Sequence, residues 1–581
     1  MFKIFKNFSN KDIFYIIVCV LLIAFQVFLD LRLPDYMSTI TTLITSENNV
    51  LKSILINGGY MLLCAFGSLM SAIFVGYLTS LLSANFSLNV RSKIFNKVLE
   101  FNTEEMKKFS VSSLITRTTN DVTQLEMFIA MGLQMLIKAP IMAIWAISKI
   151  VGKSVEWSML TGAGVLILLI TIGILISIVF PRFERVQKLI DRINGVTSES
   201  LSGIRVVRAF NAEKFQEKRF ESVNNELTST QIFNQKCFAI LNPVMNLVMH
   251  FLTLGIYFMG AFLIESASMV DKITLFSNMV VFSSYGMQVI ASFLMLAMIF
   301  MIWPRASVSA RRINEVLDEE IKIKDGEYSG NNNLGTVEFK NVSFKYPDAD
   351  EYLLKDISFK VEKGETIAFI GSTGSGKSTL INLVPRFYDV TDGEILVDGI
   401  NVKDYKLESL HNKIGYIPQK AVMFSGTVKS NVGYGLKKIS MNKIKEAVRV
   451  AQGADFVSKM DKEYDSNIAR GGTNISGGQK QRLSIARAIA KNPLIYIFDD
   501  SFSALDYKTD LKLRKCLKKY TKDSTIMIVA QRIGTIMHAD KIVVLSDGHC
   551  VGIGTHKELL KSCKVYKEIA LSQLGEEELY G

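Results

Sequence analysis

Three stretches of this 581-residue chain hold residue types whose spacing could do phosphate chemistry. The first is GSTGSGKS, residues 371–378, directly after the apolar run ETIAFI and directly before the helix-forming TLINL. Gly371, Gly374 and Gly376 allow a tight turn whose backbone N–H groups, with those of Ser372, Thr373 and Ser375 and the helix start at Thr379, cradle phosphates. Lys377 would reach the β and γ oxygens, and the hydroxyl of Ser378 would coordinate Mg²⁺. The pattern therefore predicts a nucleoside triphosphate site. The second stretch, LIYIFDD at 494–500, is a buried-strand pattern that delivers two carboxylates, Asp499 and Asp500. The third, ISGGQ at 475–479, puts Ser476 and a glycine pair ahead of a helical run.

These stretches need an α/β scaffold, and the sequence from Thr336 onward supplies one. Short strand-like runs such as VEFKNVSF and STIMIVA alternate with helical segments. The first part of the chain is of another kind. Hydrophobic residues make up 49% of the whole, mean hydropathy is +0.25, and Lys plus Arg outnumber Asp plus Glu by 67 to 55. That balance indicates a membrane protein with a charged soluble part. The basic residues cluster beside apolar spans and do not form an aromatic-interleaved face, so nucleic acid is not an expected partner. The six cysteines show no CxxC pair or metal-ligand spacing and are expected to be ordinary thiols.

Apolar windows near 12–30, 54–82, 127–150, 158–180, 238–264 and 273–303 are each long enough to cross about 30 Å of hydrocarbon. The first follows a basic amino terminus without a small-residue cleavage site, so an uncleaved span is expected. Cations concentrate in the two long connections, after the second and the fourth windows. By the positive-inside rule these connections and both termini face the cytoplasm. The expected organisation is a membrane domain over 1–320, a Gly/Asn-rich linker over 321–335, a nucleotide-binding domain over 336–575 and a tail at 576–581.

In combination, GSTGSGKS, ISGGQ and LIYIFDD resemble the ATP-binding cassette family, specifically exporters in which a six-helix membrane domain precedes the cassette on one chain. Further segments agree: VSFKYP, IGYIPQKAVMFSGTV and SALD in the cassette, with SLITRTTNDVTQ (113–124) and GIRVVRAFNAEKFQEKRF (203–220) as the docking loops. The resemblance implies an all-α six-helix membrane domain followed by an α/β P-loop domain. It assigns Tyr346 to adenine stacking, Gln419 to Mg²⁺ and the attacking water, Asp499 to Mg²⁺ and Asp506 to a dimer contact. It also implies that Ser476, Gly477, Gly478 and Gln479 serve the nucleotide held by a partner cassette. Residues near 103–113 and 210–220 would couple cassette to spans, with Phe109 and Phe210 as candidate anchors.

Two positions depart from that pattern. Asp500 stands where active members carry a glutamate, and losing a methylene withdraws the carboxylate by about 1 Å, a misplacement that costs on the order of a hundredfold in rate. Gln531 stands where they carry a histidine, and an amide can donate to phosphate but cannot carry positive charge. His538, seven residues on, is expected at the surface of the following helix. Together the departures imply a site that holds ATP and turns it over slowly, in a heterodimer with a second half-transporter that carries Glu and His at the two positions. A nucleotide-gated channel or regulatory subunit and a peptide exporter are the alternatives; no leader-processing cysteine protease domain is expected ahead of the first span, which weakens only the processing version of the peptide exporter. The expected cargo is a small amphipathic drug or lipid, and the setting the plasma membrane of a bacterium. Methionines 245, 249, 259, 279, 287, 295, 298 and 301 would allow a repacking pocket, and Lys138, inside the third window, would pair across helices or line a wet cavity.

Overall fold

The computed structural model describes residues 3–4, 8–45, 51–151, 155–330 and 334–574. The tail at 576–581 and part of the linker lie outside these residues. The chain divides into two compact units, Met1–Glu100 with Phe109–Glu319, and Phe101–Lys108 with Glu320–Gly581. A short segment from the first long connection thus packs with the carboxy-terminal unit.

Among its described residues, the first unit contains six helical runs long and apolar enough to cross a membrane: Asn10–Ile44, Leu51–Leu99, Val111–Ile150, Val155–Ser202, Glu213–Ser266 and Asp271–Leu317. Each apolar window predicted from sequence lies inside one of them. The helices are longer than the windows because hydropathy marks only the hydrocarbon-crossing part. At about 1.5 Å per residue, the second run extends well beyond a 30 Å core. Within the third run, Arg117–Asp121 and Phe128–Gly132 wind as π-helix, and the buried Asp121 of the first accepts a hydrogen bond from Ser309 Oγ at 2.9 Å. Met245 and Met279 are buried in the core shared by the spans.

Of the two roles open to Lys138, the structure shows a pairing across helices. Its ammonium lies 3.3 Å from Asp30 Oδ2 on the first span, and Asp30 Oδ1 also accepts from Ser68 Oγ at 2.5 Å. A charge at that depth is costly unless paired, and the pair carries no net charge. Of the two phenylalanines expected as anchors, Phe109 is buried beneath the Arg117 guanidinium, whereas Phe210 is 79% exposed.

Among the described residues, the second unit has three sheets. β1 (Val337–Phe344), β2 (Leu354–Val361), β4 (Asp392–Val397) and β5 (Ile400–Asn401) form an antiparallel sheet in the order β2-β1-β4-β5. β3 (Thr366–Gly371), β6 (Ile414–Ile417), β9 (Ile495–Asp499), β10 (Thr525–Val529), β11 (Lys541–Ser546) and β12 (His549–Gly554) form the central sheet in the order β12-β11-β3-β10-β9-β6. Its strands run parallel except for β12, and β7 (Gly426–Thr427) pairs with β8 (Asn467–Ile468). β9 and β10 are buried at every position, as expected for parallel strands covered on both faces.

A buried ion pair pins the antiparallel sheet to the central domain. Lys413 Nζ lies 2.6 Å from Asp398 Oδ2, with side chains 6% and 0% exposed, and Asp398 Oδ1 also accepts the Thr336 N–H at 3.0 Å. Replacing Lys413 by Met leaves Asp398 buried without its cation, a change that costs about 3–5 kcal/mol when one partner of such a pair is removed. Denaturant unfolding of the cassette within the full chain is expected to register about 3 kcal/mol of that loss. A change below about 1 kcal/mol would mean that solvent reaches the carboxylate.

Candidate nucleotide site

The register of the central sheet assembles the site. On β10, Val529 pairs with Asp499 of β9 on one side and with Phe369 of β3 on the other. The carboxyl ends of β3, β10 and β9 therefore adjoin, and ligands of open α/β sheets bind beyond such ends. The phosphate-binding loop leaves β3, Asp500 follows β9, and Gln531 lies two residues past β10.

The loop has the conformation its glycines allow. Gly374 and Gly376 adopt φ of +87° and +91°, where a side chain is strained, and a Cβ on Gly376 would lie 2.6 Å from Leu354 Cδ2. Gly376 caps the helix Lys377–Asn382. The Lys377 ammonium folds over the loop and donates to the carbonyls of Gly371 and Ser372 at 3.0 and 2.7 Å and to Ser375 Oγ at 3.3 Å. Burial pushes its pKa down. Ser378 Oγ donates to Asp499 Oδ1 at 2.7 Å, and the Tyr346 hydroxyl meets Thr379 Oγ1 at 2.9 Å.

Among the described residues, no group of three or more His, Cys, Asp or Glu could hold a metal ion on its own. The donor set of Ser378 Oγ beside Asp499 nevertheless fits Mg²⁺, a hard cation that takes one or two protein oxygens and completes its shell with phosphates and water. Ser378 and Asp499 are the residues that would hold it.

The two departures meet each other. Asp500 is buried at φ +45°, and its Oδ2 accepts both the Gln531 amide at 3.0 Å and the Gln419 amide at 3.3 Å. Its backbone N–H donates to the Val529 carbonyl, and its backbone carbonyl accepts from Ser503 Oγ. The carboxylate is thus held between two neutral amides. His538 is exposed and lies just beyond the helix Ile533–Ile536.

Burial pushes the Asp499 and Asp500 carboxyls above the ordinary carboxylate range, and hydrogen bonds to each only partly offset it. A raised carboxyl pKa means that protons are taken up at milder acidity than the usual value of about 3.9. Because a metal ligand must be deprotonated, Mg²⁺-dependent ATP retention is expected to fall, as pH is lowered, before ordinary carboxylates titrate. The same sign makes these buried charges a stability cost at neutral pH that is relieved as pH falls through their raised values. Retention measured over a pH series checks the expectation, and a flat profile down to the ordinary range would contradict it.

Ser476 caps the helix Gly477–Lys491 in a reciprocal pair with Gln479, Ser476 Oγ accepting the Gln479 N–H and Gln479 Oε1 accepting the Ser476 N–H. Ser476 and Gly477 are exposed, no atom lies within 4 Å of where a Cβ on Gly477 would stand, and Gly478 approaches the Ala504 carbonyl. The exposed Asp506 caps the helix Tyr507–Tyr520 by accepting the Thr509 N–H at 2.9 Å, and hydrogen bonding to the Thr509 side chain, then to its N–H, holds the Asp506 carboxyl below the usual range.

Sequence reasoning did not single out Tyr416 or Lys107. The Tyr416 hydroxyl donates to Asn382 Oδ1 at 2.9 Å and to Asp499 Oδ2 at 3.4 Å, and it sits in the same segment as Gln419, which could have drawn attention to it. Lys107 lies over the Tyr346 ring, a contact across more than two hundred residues that no local pattern announces.

Comparison with known proteins extends over nearly the whole chain. The model of the ABC transporter transmembrane region matches residues 15–306, and that of the ABC transporter matches residues 354–503. An uncharacterized ABC transporter ATP-binding protein of Mycobacterium tuberculosis is 38% identical over 89% of this chain and 87% of its own length. A Staphylococcus aureus protein, named as a candidate multidrug export ATP-binding/permease protein, is 35% identical over 85% of each chain. The solved structure of a bacterial Atm1-family ABC exporter with ATP bound superposes with a TM-score of 0.85 at 23% identity, covering 98% of this chain and 100% of that one, which establishes the likeness of fold.

Proposed function

The chain belongs to the ABC transporter family, with a six-helix membrane region and an ATP-binding cassette on one polypeptide, and on that premise we propose that it is the slow-site half of a heterodimeric exporter. In this reading its phosphate loop and Lys377 bind ATP, and Ser378 and Asp499 hold Mg²⁺. Asp500 and Gln531 make hydrolysis slow. Ser476–Gln479 complete a competent site on a second half-transporter that carries Glu and His where this chain has Asp500 and Gln531.

The observation that carries this reading is the shared hydrogen bonding of Asp500. A carboxylate that activates water must present an oxygen to it. Here Oδ2 accepts two amides, which leaves Oδ1 to meet the water, and a side chain one methylene shorter than glutamate sets the carboxylate back by about 1 Å. The Gln531 amide donates to Asp500 and, being neutral, supplies no positive charge to an oxygen on which charge develops. The exposed cap at Ser476 and Gly477 supports a role toward another nucleotide. It is a helix amino end with free approach, on a 15-residue helix.

The cargo is a small amphipathic drug or lipid moved outward across a bacterial plasma membrane, with both termini in the cytoplasm. A cleft in the membrane unit supports it. It is lined by side chains such as Leu175, Phe180, Phe183, Phe238, Phe300 and Trp303. The neutral Asp30–Lys138 pair removes the repulsion that an isolated Lys138 would exert on cationic ligands. A nucleotide-gated channel or regulatory subunit that binds ATP without turnover would give no vectorial accumulation, which separates that alternative.

The test is the chemical state of nucleotide retained by the purified full chain in lipid. After incubation with Mg²⁺ and ATP, intact ATP is expected to dominate. Prompt conversion of the retained nucleotide to ADP would overturn the slow-site reading.

A further inference from the structure

Lys107 lies at the end of the short helix Thr103–Lys108, in the connection between the second and third spans, and this helix packs as part of the cassette unit. Its anchor is Glu105, 3% exposed, whose two oxygens accept the Lys322 N–H at 3.1 Å and the Asn102 N–H at 2.9 Å. Glu104 forms an ion pair with the Lys322 ammonium. Held there, Lys107 Nζ stands 4.5 Å from the centroid of the Tyr346 ring and 5.5 Å from that of Tyr388. Tyr346 is itself fixed, by its hydroxyl on Thr379 Oγ1 and by edge contacts with Phe344 and Tyr388 at 5.1 and 5.3 Å.

The face of a tyrosine ring carries partial negative charge, which attracts an ammonium, and it also stacks on a purine. We infer that the Lys107 ammonium and the adenine ring of bound ATP compete for the Tyr346 face, so that Lys107 is a positioning residue through which the docking helix senses the base. This rests on the reading of Tyr346 as the adenine platform. Seating the base releases Lys107 from the ring, and the helix that loses this contact is the covalent link between two spans. Glu105 and Glu104 keep the helix tethered to the linker meanwhile, so the signal is a change at one end of a retained helix.

The inference is tested on the full chain in lipid by measuring affinity for ATP and for inorganic tripolyphosphate, which has no base. Lys107→Met keeps the stem and removes the charge, and Lys107→Arg restores it. A cation–π contact at an exposed site is worth on the order of 0.5–1 kcal/mol, so Lys107→Met is expected to tighten ATP binding by about two- to fivefold. Lys107→Arg should return it to the original value, and neither should change tripolyphosphate affinity. Equal weakening of both ligands would assign Lys107 to the phosphates and overturn the inference. So would ATP affinity that stays unchanged or falls in Lys107→Met. Failure of the unaltered chain to bind ATP at all would instead sink the nucleotide reading itself.

Discussion

Asp500→Glu combined with Gln531→His is expected to raise ATP turnover by the purified chain on the order of a hundredfold. The longer acid carries its oxygens forward by about 1 Å, which by itself addresses a misplacement worth on the order of a hundredfold. The histidine both ends the Gln531 donation to Asp500 Oδ2 and offers a charge-bearing donor at the end of β10. Each change alone is expected to recover less than the pair, because the two side chains share a hydrogen bond and substitutions in one network are not additive. The effect should lie in kcat, with ATP affinity little altered, since Lys377 and the loop glycines are untouched. Turnover of the double variant at the level of the unaltered chain would show that the barrier lies elsewhere.

The second large effect concerns Gly477, where an added Cβ would meet no atom beyond its chain neighbours and its own helix. Gly477→Asp introduces an acid at the first position of a helix, where a negative charge favours the helix and where no atom crowds a new Cβ. Local folding should therefore be preserved. In the proposed assembly that acid faces the phosphates held by the other half-transporter. Like charges there should lower turnover of the paired complex by a hundredfold or more, while this chain's own loop still retains ATP. Undiminished turnover by the complex would mean that the Ser476–Gln479 cap serves no partner nucleotide.

The nucleotide loop, the signature cap and the carboxylate strand were legible in the sequence because each is local. Gly374 and Gly376 need their left-handed backbone within one turn, Ser476 and Gln479 cap each other three residues apart, and β9 announces itself by continuous apolarity. The six spans were legible for the same reason, although their extent beyond the hydrocarbon was not, since the outer turns are amphipathic. What stayed hidden depends on contacts between distant segments. Asp30 as the partner of Lys138 required knowing that the first and third spans adjoin there. Lys107 over Tyr346 required knowing that an eight-residue piece of the membrane half, 101–108, packs with the cassette. The pinning of Asp500 by two amides is of this kind too: its three residues come from the ends of β9 and β10 and from the segment after β6.

The most direct measurement is ATPase activity of this chain purified alone in lipid, then with candidate partner half-transporters added. Negligible turnover alone, fast turnover with one partner, and its loss when that partner's glutamate is replaced are the results predicted here. Rapid turnover by this chain alone would mean that Asp500 suffices as it stands, and both the slow site and the heterodimer would fall with that result.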